Sequence, residues 1–142
     1  MTDQLALGAL IASFLTLRMP GSPVKTLEDL SVLAQVEAPG HLIVVAYAGE
    51  TAQVGNDPME ALITQRWLTV VTVHASGRVL KGDATLAKAG PLLWQISLAL
   101  QGKQFTGYQP LKRVTPPGPR LVDPYSHFPL AWEAKFLVRG IG

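Results

Sequence analysis

Residues 66–75 read RWLTVVTVHA, and this stretch decides the fold. Strict alternation places Trp67, Thr69, Val71 and Val73 on one side of an extended chain and Leu68, Val70, Thr72 and His74 on the other, with β-branched residues throughout. The sequence predicts a long strand whose first half is mostly buried. Downstream the period changes. From Asp83 to Gln101 the apolar positions Leu86, Ala89, Leu93, Ile96 and Leu100 repeat at helical spacing, and Asp83 can cap the first turn. Pro91 has no amide for the carbonyl of Ala87, which predicts a kink or restart at Gly90.

Beyond the helix, Gly107-Tyr108-Gln109-Pro110 opens a connector reaching to Pro129 that holds six of the eleven prolines. Leu111 to Val114 and Arg120 to Val122 are its only short strand candidates, because proline cannot donate to a ladder. The last regular segment is Leu130 to Arg139. Trp132, Ala134, Phe136 and Val138 alternate there with Glu133, Lys135 and Arg139, the pattern of a half-exposed antiparallel strand.

Upstream, His41 to Ala48 is almost wholly apolar and rich in β-branched residues, and reads as a strand covered on both faces and placed centrally in the sheet. Gly49 to Pro58 has turn chemistry and reads as an exposed loop or hairpin tip. Two helices are expected before it. Leu7, Leu10, Ile11, Phe14 and Leu17 form the stripe of the first, which Pro20-Gly21 ends. Thr26 with Asp29 suggests a capping box for the second, whose face is Leu27, Leu30, Val32, Leu33 and Val36 and whose end is Pro39-Gly40. The fold class implied is α/β (α+β), a single mostly antiparallel or mixed sheet with helices packed on it.

At 142 residues the chain has the length of one domain, 1–142, able to bury roughly 70% of its unfolded surface. Cysteine is absent, which removes disulfides and thiolate chemistry and suits a reducing compartment. Only 15% of residues are charged against 48% apolar, a balance that favours self-association. The net charge of +2 is spread along the chain without a basic cluster, which disfavours nucleic-acid binding as a main role. Leu5 to Leu17 has the apolar length of a signal core, but Asp3 stands where positive charge belongs and no small-residue cleavage site follows. No run is long enough to span a bilayer, and a soluble protein without membrane partners is expected.

No pattern of catalytic residues emerges. His41, His74 and His127 stand apart at no metal-binding spacing, so solvated or backbone-bonded roles are expected for them. His74, Ser76 and Asp83 could be arranged as base, nucleophile and orienter, but the Gly-x-Ser-x-Gly elbow is missing. The carboxylate pairs Glu28/Asp29, Glu50/Asp57 and Asp123/Glu133 have no distinctive partners, and neither a P-loop nor a dinucleotide fingerprint is present. Tyr108, Tyr125, Trp94 and Trp132 sit in apolar contexts suited to core or interface packing. No metal or cofactor is expected. Such a chain fits an assembly subunit, its open sheet edges available to a neighbour.

The order of these segments resembles the phage tail terminator proteins of Mu-like phages and prophages. The similarity rests on the N-terminal helix, Ala38-Pro39-Gly40 to Ala48-Gly49, Arg66-Trp67 into Thr72-Val73, and the Asp83 to Leu100 helix with Gly90-Pro91. It continues through Gly107-Tyr108-Gln109-Pro110, Arg120-Leu121-Val122-Asp123 and the strand ending near Phe136. The resemblance implies no enzymatic activity and no cofactor. It implies a virion protein, assembled in the host cytoplasm, that forms a homohexameric ring at the head-proximal end of the tail. The ring caps the tail tube, stops its polymerisation and presents the head-attachment surface. Implied partners are further copies of the chain, the tail tube protein, a head–tail connector protein and, in a contractile tail, the sheath protein. DNA would only pass through the lumen. Two other readings stand beside it, a head-to-tail completion or connector protein, and a small hydrolase using His74 or His127 with Asp83 or Asp123. For an assembly role, Arg113, Arg120, Asp123 and Tyr125 are the expected subunit or tube contacts, because their connector is stiff, charged and has little core to pack.

Overall fold

The structure, a computed structural model, describes residues 3–27, 40–74, 83–122 and 125–141. In these residues the chain forms one mixed six-stranded sheet with two helices packed on it, an α+β fold. The elements are α1 (Leu7–Arg18), β1 (Val24–Leu27), β2 (His41–Val54), β3 (Glu60–His74), α2 (Asp83–Leu100), β4 (Lys112–Val114), β5 (Arg120–Val122) and β6 (Tyr125–Arg139). Strand order is β1-β2-β3-β6-β4, and β5 also pairs with β6. Only β1 and β2 are parallel.

The strand of residues 66–74 becomes the middle of the sheet, extended at its start by six residues to Glu60, and Ala75 lies outside the described residues. The strand's two faces separate as the alternation predicts. Val71 and Val73 join Ile43 and Val45 of β2 and Trp132, Ala134 and Phe136 of β6 in the main core under the helices. Leu68 and Val70 join Leu42, Val44 and Ala131 in a second cluster on the opposite face. The terminal strand starts earlier than expected, at Tyr125, and is interior rather than half-exposed over most of its length. β5 pairs with its residues 125–127 and β4 with 131–133. Pro129 falls in the break between those two short partners, where a residue without an amide interrupts no ladder on that side.

Alternation changes phase in β2. Tyr47 pairs with Trp67 but Glu50 pairs with Gln65, so two residues oppose one, and Gly49 carries the bulge at φ +103°. Beyond it β2 continues to Val54. The expected loop over 49–58 is therefore a strand for its first half, and only the hairpin tip remains as turn. Glycine here bends a ladder without ending it.

α1 lies on β1 and β2, and α2 on β3 and β6. Two contacts fix α1. A Cβ on Gly8 would stand 2.5 Å from the Trp67 ring, so glycine lets the helix backbone rest on the indole. At the helix start, buried Gln65 donates to the Gln4 carbonyl (2.7 Å) and to Glu50 Oε1 (3.2 Å), while Trp67 Nε1 donates to Gln65 Oε1 (3.0 Å). Burying that amide is tolerable because its oxygen and nitrogen are both bonded. The buried residues of α1 are Leu7, Gly8, Ile11 and Leu15. Leu10 and Leu17, expected in the stripe, are exposed, because the helix is rotated to bring Gly8 against Trp67.

The second expected helix does not begin at Thr26. That residue lies in β1, opposite Val45, where parallel pairing with β2 outweighs the capping signal. The rest of that segment, residues 28–39, lies outside the described residues, as do the polar loop of 76–82 and the side chain of Asp83. α2 runs unbroken through Pro91. Its proline is on the exposed side, where water can satisfy the Ala87 carbonyl.

Candidate functional site

The surface features with most potential for recognition are apolar and lie in two places. The first is the outer side of α2. Ala89, Ile96 and Leu100 are buried, whereas Leu86, Trp94 and Leu98 are exposed, Trp94 to 65%. Leu86 was expected in the core. The four-residue spacing of 86, 90, 94 and 98 makes a second stripe displaced by about a third of a turn from the buried one. An exposed tryptophan on such a stripe is unusual in a helix that needs nothing further to cover it. Beside Leu98, an open groove of about 320 Å³ separates α1 from α2, lined by Phe14, Arg18, Met19, Gln95, Leu98 and Ala99. Its rim is basic. The Arg18 guanidinium lies 5.2 Å from the Phe14 ring centre, and Lys103 Nζ lies 4.6 Å from the same ring and 5.6 Å from that of Phe105.

The second place is the far end of the sheet. Past the Gly49 bulge, β2, β3 and β6 continue as a three-stranded arm in which residues 50–54 are all exposed. Val54, Ala61 and Val138 face one another across the three strands. Val54, Met59, Leu137, Val138 and Ile141 are all exposed. At the tip, Asp57 Oδ1 accepts the Met59 amide, and Gly140 N–H donates to the Met59 carbonyl at 2.7 Å. Arg139 pairs with Glu60. At the arm's root, hydrogen bonds from Gln4 above all, then Gln65 and Tyr47, hold the Glu50 carboxyl below the usual carboxylate range against the opposing effect of burial.

The connector residues singled out from the sequence are more tightly held than their composition implies. Arg113 Nη1 donates to Ser97 Oγ of α2 at 3.2 Å, tying β4 to the helix. Arg66, from β3, donates to the Thr115 carbonyl. Tyr125 lies edge-on to His74, ring centres 5.2 Å apart, and stacks on His127 at 6.3 Å. Arg120 is exposed at the start of β5. Asp123 lies outside the described residues. Thus Arg113 is exposed but tied to α2 by one hydrogen bond, Tyr125 is half-buried against His74 and His127, and Arg120 is exposed with no such tie.

His127 is 3% exposed, with Nδ1 2.9 Å from Thr72 Oγ1 and Nε2 without a hydrogen-bond partner among the described residues. Burial, then the Arg120 charge, pushes its pKa below 6.5. His41 bonds Ser22 Oγ at 3.0 Å. Side-chain partners thus replace the solvated or backbone-bonded roles expected for these two histidines. The carboxylates Glu50 and Asp57 are separately engaged, on the Gln4/Gln65 network and the Met59 amide. Among the described residues no group of three His, Asp or Glu could hold a metal, and no helix is long and apolar enough to cross a membrane.

Sequence reasoning missed the α2 stripe, although a signal was present. Between Thr85 and Leu100 apolar residues occupy every side of the helix, more than one sheet face can cover.

No protein-family model and no curated relative matches the sequence. Among solved structures, the chain is similar to a chain of the "Virion of native gene transfer agent (GTA) particle". The two share 20% identity at a TM-score of 0.52, with 96% of this chain and 90% of the other covered. The likeness shows a shared fold across nearly the whole length.

Proposed function

We propose that this chain is a structural protein of a tailed-phage-like virion and, within it, a tail terminator. The supporting observation is the sharing of its fold, end to end, with a chain of a gene transfer agent virion. The order of segments, similar to that of tail terminators, narrows the role. Exposed apolar surfaces on α2 and on the arm suit a protein that works by contact with other subunits.

In this reading, copies of the chain assemble as a six-membered ring on the last layer of the tail tube. One ring face copies the contact that tube subunits make with each other, and the other offers no such contact, so polymerisation stops. Docking on a sixfold template raises the effective concentration of neighbouring copies, so mutual affinity in solution can be low. The far face meets the head–tail connector. The role requires no catalysis and no cofactor.

The test is imaging of the purified protein mixed with its tail tube protein. Rings one tube wide at a single tube end are expected; unassociated monomers beside bare assembled tubes would overturn the reading. Among the connector residues Arg120 is the informative one. Arg120→Glu is expected to impair ring formation while leaving the unfolding free energy within about 0.5 kcal/mol of the parent, since the side chain is exposed. Normal rings from this variant would remove Arg120 from the contact.

A further inference from the structure

The arm and the groove are complementary, and they belong to opposite ends of the same molecule. Residues 49–65, the hairpin side of the arm, carry Glu50, Asp57 and Glu60 and no lysine or arginine. The groove between α1 and α2 is rimmed by Arg18 and Lys103, and the ion pair present among the described residues, Arg139 with Glu60, involves neither. The arm's third strand adds Lys135 and Arg139, the latter paired with Glu60, so the acid at the exposed tip outside that ion pair is Asp57, whereas the groove is bordered by Arg18 and Lys103.

An arm cannot fill its own groove. Gln4, before α1, bonds Glu50, and Ser22, after α1, bonds His41, so the helix runs antiparallel to β2 with its C-terminal end at the strand's start. Twelve helical residues span about 18 Å. The arm continues past Glu50 in the other direction by about 13 Å to Val54. The tip is thus on the order of 30 Å from the groove beside Arg18.

We infer that the arm tip of one copy seats in the α1–α2 groove of a second copy, Val54 and Met59 against Phe14 and Leu98, with Asp57 facing Arg18 and Lys103. The contact is heterologous: every copy keeps a free arm at one end and a free groove at the other. Such contacts propagate until they close a ring. The charge pairing fixes which end meets which and disfavours arm-to-arm or groove-to-groove association. This inference names the contact within the ring of the proposed function, and rests on that reading for the number of copies only.

The absence of cysteine makes the contact directly testable. Asn56→Cys and Gln95→Cys each place one thiol at an exposed position, on the tip and at the groove, and leave Asp57 in place. A short bis-maleimide is added to each variant alone and to their mixture, at high protein concentration and again on assembled tail tubes. The mixture is expected to give a covalent dimer that either variant alone does not. Introducing Leu98→Glu beside Gln95→Cys, on an exposed position, should lower that yield about tenfold. A mixture that cross-links no more than the single variants, in both settings, overturns the inference. Imaging the same samples separates the two claims. Rings without the mixed cross-link overturn the arm contact and leave the ring, whereas the mixed cross-link with no protein at tube ends retains the arm contact and overturns the terminator role.

Discussion

β2, β3 and β6 each pass through two environments. In the near half, the two helices cover one face and the side chains of Ile43, Val71 and Trp132 are wholly buried. In the arm, the same three strands keep their pairing to Val54, Glu60 and Arg139, yet β2 beyond the bulge is exposed on both sides. Pairing therefore extends farther than the core does. Backbone hydrogen bonds hold the arm together, and the exposed apolar side chains of its outer end, Val54, Met59, Leu137 and Val138, contribute little to the stability of the isolated chain.

That difference can be broken most forcefully at Trp132. The indole is fully buried and donates to Thr69 Oγ1 at 3.0 Å, so Trp132→Ala should cost about 3–5 kcal/mol in denaturant unfolding. The matching truncation in the arm, Val138→Ala, should change stability by less than about 1 kcal/mol. Equal losses at the two sites would mean that the arm is packed as tightly as the core. A smaller effect is expected at the joint between α1 and the sheet. Gly8→Ala places a methyl 2.5 Å from the Trp67 ring, and its overpacking cost of about 1–3 kcal/mol should exceed the gain of up to about 1 kcal/mol in helix propensity. An unchanged or raised melting temperature would show that the helix can shift off the indole.

The smallest effect is on pH dependence and also separates the two halves. His127 has a folded pKa below its unfolded value of 6.5, so the unfolded chain takes up a proton first as pH falls. Stability from this group is fully present above about pH 6.5 and declines below it until the folded pKa is passed. The denaturant midpoint should fall between about pH 7.5 and about pH 5.5 in the parent, and less so in His127→Gln. An identical slope in both proteins would remove His127 as its source. Glu50, at the root of the arm, acts in a lower window. Its lowered carboxyl pKa adds stability above 4.5 that is lost as pH falls through the folded value.

Much of the near half was legible in the chain. Alternation assigned residues 67–74 of β3 to their faces, and the short strands around Arg113 and Arg120 fall where they were expected. Helices α1 and α2 were legible in extent but not in rotation, whereas the helix expected from Thr26 was not, because that residue pairs as a strand with Val45. In α2 the stripes through Ala89 and Ile96 and through Leu86 and Trp94 are both apolar, and nothing local distinguishes the one that meets the sheet. The arm was hidden for another reason. Gly49 reads as a strand end because glycine at positive φ usually closes an element, yet here β3 supplies partners on both sides of it. The connector's hold on α2 through Arg113 and Ser97 joins residues sixteen apart whose local patterns do not imply each other.

Period and composition settle what is local: which residues alternate, which form helical turns, and that the chain carries more apolar surface than one core requires. Which of that surface stays outside was decided in three dimensions. Gly8 resting on Trp67 sets the rotation of α1, and the bulge at Gly49 sets the phase of β2 beyond it. Both depend on contacts between residues far apart in the chain, and side-chain periodicity is blind to such contacts because it records only neighbours. Through them the apolar excess of the sequence became an exposed stripe on α2 at one place and an uncovered arm at another.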